Sequence, residues 1–179
     1  MFDRSERRRR SDPYLYDYTK NEKGEYVYTG AYMEYPEESF KGMCVRYSIA
    51  AVLELVLFCV PGLVSAVSTH HWMVMVPYAI LLVPLVFVPI SVVRIVFSKG
   101  VFVKRSYDIA VERLRIYAIV GVIGGALMTV GAIIFISLFG FGEVMDGDYA
   151  VLAVAALLCL TNLWIVLQLK KDVWELKEE

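Results

Sequence analysis

At 179 residues, with a formal net charge of -1 and 58% hydrophobic residues, the chain is more apolar than the roughly 45–50% usual for soluble domains, and its mean hydropathy is +0.56. The charges are nearly balanced and lie almost wholly outside the apolar runs, which gives nothing in favour of a nucleic-acid partner, and none is expected. Cys44, Cys59 and Cys159 match no metal-ligand spacing, and two of them fall inside apolar runs where a thiol acts as a small hydrophobe, so no structural disulfide is expected.

Residues 1–35 are polar and rich in tyrosine. Tyr14, Tyr16 and Tyr18 alternate, Lys20 to Gly24 supplies turn residues, and Tyr26 and Tyr28 resume the alternation. A period of two on either side of a glycine-containing loop predicts a β-hairpin, the alternative being an unstructured tail. An isolated hairpin is marginal in water, so this one needs a surface to dock on. The basic run Arg7 to Arg10 reads as a topology signal that touches lipid headgroups. The first apolar run is expected to stay as an anchor rather than be removed as a signal peptide, because a long polar stretch precedes it.

Residues 36–169 are expected to form the membrane domain. Pro36, Glu37 and Glu38 have the chemistry of a helix start, with a residue that needs no amide donor and acids at the positive end of the dipole. Four spans follow, at about 47–66, 72–97, 116–139 and 149–169, each close to the 20 apolar residues that cross hydrocarbon. Between Arg46 and Arg94 there is no lysine or arginine, and Glu54 is the single formal charge. Pro61 should bend the first span, and Pro77, Pro84 and Pro89 should make the second irregular, since each proline removes a backbone donor and crowds the preceding turn. In the third span Gly121, Gly125 and Thr129 form a small-residue stripe suited to close helix packing. Residues 170–179 are expected to continue the fourth helix, with Leu169, Val173 and Leu176 on one face.

Bases cluster around 98–115 and near both ends, while the segments around His70 and Asp146 have none. The positive-inside rule therefore predicts both termini in the cytoplasm of a cell (plasma) membrane protein. The expected fold is an all-α four-transmembrane-helix bundle with a tyrosine-rich cytoplasmic arm.

Glu54 lies about 12 Å from the inner boundary of the first span, near the middle of a hydrocarbon layer about 30 Å thick. Asn162 lies at a similar depth in the fourth span, where the third span offers Ile123 and Gly124, and Arg94 stands near the inner end of the second. Two readings stay open. In one, Glu54 titrates as a proton or cation site, with Asn162 and carbonyls freed by Pro61 and Pro84 as further ligands; in the other, a Glu54 contact with Arg94 or Asn162 sets helix register. His70 and His71 with Glu143, Asp146 and Asp148 are weak candidates for a divalent cation, without a diagnostic spacing.

No GxSxG, HExxH or glycine-rich phosphate loop is present, so neither an enzyme nor a cofactor is expected. The polar mass on the inner side favours a non-catalytic accessory or assembling subunit, whose partners are the bilayer and itself or another membrane protein. The alternative is a small proton- or cation-coupled transporter or channel that uses Glu54.

Overall fold

A computed structural model describes residues 18–21, 25–28, 30, 32–139 and 146–177. Tyr14, Tyr16, the Arg7 to Arg10 run and Glu143 lie outside the described residues. Four helical segments have the length and hydropathy of membrane spans, and together they make a multi-pass α-helical bundle. The hairpin read from the tyrosine alternation is present: β1 (Tyr18–Lys20) pairs antiparallel with β2 (Tyr26–Tyr28), Tyr18 opposite Tyr28.

Helix α1 (Glu37–Leu63) starts after Pro36 with Glu37 and Glu38 in its first turn, at the positive end of its dipole. It ends two residues after Pro61, where Val64 turns extended and donates its amide to the Val60 carbonyl. Pro61 therefore lies inside the last turn of the helix, and its missing amide falls opposite the Leu57 carbonyl. A single tight turn, Ser68–His70, reverses the chain.

The proline-rich second span is broken in two, α2 (Trp72–Ile80) and α3 (Leu82–Phe97), at Leu81. The cause is local. Pro84 has no amide to give the Ile80 carbonyl, and its ring crowds that position, so the chain steps aside there and helical bonding resumes with the Leu85 amide on the Leu81 carbonyl. Leu81 is itself buried against Gly124 of α4 (Arg113–Phe139), whose missing side chain leaves the space.

After α3, a left-handed turn at Lys99 and Gly100 leads into β4 (Val101–Val103), and one short helical turn and one wider π-type turn then lead into α4. The last long helix is α5 (Asp146–Lys171). Helix α1 packs on α3 and α5, and α4 packs on α2, α3 and α5, so α1 and α4 occupy opposite corners of the bundle. The small-residue stripe does bring backbones together: a β-carbon on Gly125 would stand 2.8 Å from the Cys159 amide nitrogen of α5. Thr129, at the end of that stripe, turns its hydroxyl back onto the Gly125 carbonyl at 2.7 Å.

The expected continuation of the fourth helix into the C-terminus is corrected. Helix α5 stops at Lys171, and residues beyond it form β5 (Glu175–Lys177). This strand and β4 flank β3 (Tyr32–Glu34) in an antiparallel sheet of order β4-β3-β5, with Met33 opposite both Phe102 and Leu176. The helix yields because two tertiary contacts compete for its next residues. Asp172 accepts hydrogen bonds from the hydroxyls of Tyr35 (2.9 Å) and Tyr47, and Trp174 packs among the rings of Tyr35, Phe102 and Tyr107. The sheet closes the end of the bundle that carries the basic residues, called the basic end below; the turn around His70 marks the opposite end.

Candidate functional site: a polar layer that divides the core

The buried apolar residues form two clusters rather than one. The cluster at the basic end includes Tyr47, Ala51, Val88, Ala118 and Ile165, and the other includes Leu57, Leu81, Met128 and Leu158. On α1 the residue between them is Glu54, on α5 it is Asn162, on α4 it is the glycine-rich turn from Gly121 to Gly125, and on the second span it is Pro84. Two polar side chains, Glu54 and Asn162, thus sit with bare glycine backbone and Pro84 in a layer between the two clusters.

Helical periodicity puts Glu54 there. It shares a stripe with Tyr47, Ala50, Ala51, Leu57 and Pro61, which are the buried positions of α1, while Leu53 and Leu55 face outward. Glu54 is 2% exposed and Asn162 0%. The Asn162 amide nitrogen donates to Glu54 Oε1 at 3.1 Å and to the Leu158 carbonyl, one turn back on its own helix, at 3.0 Å. A β-carbon on Gly121 would collide with the Asn162 side-chain amide, so the bare backbone of α4 forms the wall behind that group. Two acceptors in the layer, Glu54 Oε2 and Asn162 Oδ1, have no hydrogen-bond partner among the described residues.

Arg94 does not join them. It is exposed on the outward stripe of α3, near Phe97 and beside a shallow pocket that also touches Ser98 and Phe102 at the basic end. Its position in sequence is compatible with either face of a helix, and the face it takes is the one from which a long side chain can reach the boundary. A salt bridge at the basic end joins Arg46 to Asp172 at 3.5 Å. Among the described residues, the side-chain partner of Glu54 is the Asn162 amide rather than Arg94. Ile123, expected in the layer, is 53% exposed on the outer side of α4, and the room that Asn162 uses comes from Gly121.

A cavity of about 690 Å³ opens at the opposite end, lined by the Pro61 to Val67 segment with Thr69, His70, Val74, Met75, Tyr78 and Met128. Its walls carry no lysine or arginine. Pro61 is two helical turns, about 10 Å, from Glu54. The ring of Tyr78 stacks on Phe58 at 4.4 Å and its hydroxyl donates to the Phe58 carbonyl at 2.7 Å, so these two side chains lock α2 to α1 beside the cavity.

Of the weak metal candidates, His70, His71, Asp146 and Asp148 are described. Asp148 is buried and accepts the Ser68 amide at 2.8 Å, which makes it the anchor of the tight turn. His71 lies against Phe135 and Phe139, while His70 lines the cavity and Asp146 is exposed. Among the described residues, no three histidine, cysteine, aspartate or glutamate side chains converge.

One residue that sequence reasoning passed over is Asp172, the acceptor for Tyr35, Tyr47 and Arg46. Burial and the neighbouring Asp172 carboxylate push the Tyr35 phenol up to about 12. No family model matches the chain, and neither a curated protein nor a solved structure matches it.

Proposed function

We propose that the protein is a small proton- or cation-coupled membrane transporter or channel, non-catalytic and without a cofactor, in which Glu54 and Asn162 hold the ion. The observation that supports this reading is the pair of buried acceptors, Glu54 Oε2 and Asn162 Oδ1, in a layer with no donor left for them. A proton on Oε2 turns an orphan acceptor into a donor, and a small cation would be met by both oxygens; either removes the cost of an unpaired acid in hydrocarbon. The Leu57 carbonyl, one turn above Glu54, lost its helical donor to Pro61 and is a further ligand on the path.

In this reading both termini are cytoplasmic, as the basic residues require, and the cavity at the His70 end is the outer vestibule. Leu57, Leu81, Met128 and Leu158 stand between the vestibule and Glu54 and must part for an ion to pass.

The test is flux in proteoliposomes under an imposed membrane potential, read with a pH dye for protons and an ion-sensitive dye for sodium or potassium. Wild-type protein is expected to pass one of these ions, and Glu54→Gln to lose at least about tenfold of that flux while it remains folded. Equal flux through Glu54→Gln, or none of the three ions passing the wild type, overturns the reading.

One observation favours a second reading, that of an accessory subunit assembled with itself or another membrane protein. The vestibule stops two turns short of Glu54, and the Asn162 contact by itself suffices to set the register of α1 on α5. A defined membrane partner recovered in mild detergent, together with flux that does not depend on Glu54, is the result that selects it.

A further inference from the structure

A second concavity, of about 330 Å³, runs along the outer side of the bundle between α1 and α5. Its walls are Ile49 and Leu53 on α1 and Leu160 and Trp164 on α5, and the small side chains of Ala50 and Thr161 leave the room between them. The lining is almost wholly apolar, at hydrocarbon depth, and about 10 Å long by the helical rise from Arg46 to Leu53.

Its end toward the termini is different in kind. Arg46 closes the groove there, with its side chain 45% exposed and in contact with Asp172 at 3.5 Å. Lys171 is exposed two turns beyond Trp164, on the same stripe of α5. Gly42 precedes Arg46 by one turn, and a β-carbon there would have nothing within 4 Å, so the space above the groove mouth is open. Two cations thus flank the mouth of an apolar channel that lies parallel to the helices and ends at the membrane boundary.

We infer that this groove holds one acyl chain of an anionic phospholipid, whose headgroup phosphate is bound between Arg46 and Lys171. The apolar length matches a chain that runs into the bilayer from its headgroup, and the two bases match the charge at the depth where the phosphate sits. A second copy of the chain fits less well, because a two-fold contact on this face would set Arg46 and Lys171 beside their own counterparts. The inference is independent of any ion flux through Glu54.

Trp164 is the built-in reporter. The protein is reconstituted into phosphatidylcholine vesicles that contain an equal small fraction of brominated phosphatidylglycerol or brominated phosphatidylcholine, and the Trp164 signal is taken as the difference from Trp164→Phe. Stronger quenching by the anionic lipid is expected, with each base responsible for about a fivefold preference, so that Lys171→Gln lowers the preference by that factor. Arg46→Gln is expected to do the same, and Ala50→Phe, which fills the groove, to weaken quenching by both lipids. Equal quenching by the two lipids, or a preference that survives in Lys171→Gln and Arg46→Gln alike, overturns the inference. So does efficient disulfide cross-linking between copies that carry Ile49→Cys and Leu160→Cys, which would put protein where the lipid is proposed.

Discussion

The side-chain amide of Asn162 occupies the space that a β-carbon on Gly121 would fill. Gly121→Ala must push Asn162 away from α4 and disturb its 3.1 Å bond to Glu54. A loss of about 1–3 kcal/mol is expected, as for other overpacked cores. Thermal unfolding in detergent measures it. The control is Gly42→Ala, where the new methyl meets nothing and helix propensity alone should add about 0.5–1 kcal/mol.

Asp172 ties the strand-forming C-terminus to the start of α1 through Tyr35 and Tyr47. Asp172→Asn keeps the size but removes the charge that strengthens both bonds, at an expected cost of about 1–3 kcal/mol. The half-exposed Arg46 contributes little to that figure. Amide exchange at 175–177 should accelerate together with that at 32–34, since β3 and β5 share a ladder. Exchange that stays slow in both strands would mean that Trp174 and the apolar contacts hold the sheet without the carboxylate.

The phenol of Tyr35 carries a pH dependence of definite sign. Its folded value is raised from 10.0 to about 12, so the folded state keeps a proton that the unfolded state releases. Stability from this group is complete below about pH 10 and falls as pH rises toward about 12, because there the unfolded chain gains by ionising first. Tyr35→Phe should flatten this part of the stability profile while leaving the neutral range lower by the lost hydrogen bond. An alkaline limb of equal slope in Tyr35→Phe would assign the titration to another group.

Leu81 is 1% exposed and fills the hollow over Gly124, where a β-carbon would stand 3.2 Å from its Cγ. Leu81→Ala leaves a cavity at the break between α2 and α3, and an expected loss of about 2–5 kcal/mol. Its neighbour Leu82 is 49% exposed on the lipid side, and Leu82→Ala should cost far less. Similar losses at the two positions would show that the break is not held by packing on Gly124.

The irregular second span was legible because Pro84 acts on its own backbone: a missing amide and a crowded carbonyl need no partner to have their effect. The depth of Glu54 and Asn162 was legible as well, since rise per residue converts position along a span into depth. Arg94 was not. The layer meets the second span at Pro84, about 15 Å from Arg94 by helical rise, and the inward packing of Val88, Val92 and Ile95 turns Arg94 to the outside. Asp172 gave still less sign of its role, as its partners Tyr35 and Tyr47 are separated from it by most of the chain.

Hydrophobic run length, proline placement and the clustering of bases on one side decide how many times this chain crosses a bilayer and which ends lie together, because each is a transfer or backbone energy that a segment carries by itself. The division of the core by Glu54 and Asn162, the wall supplied by Gly121, and the replacement of a helical tail by a strand beside β3 came only with the tertiary structure. Those features depend on which faces of separate helices meet, and the energy that selects them belongs to pairs of residues distant in sequence rather than to any one segment.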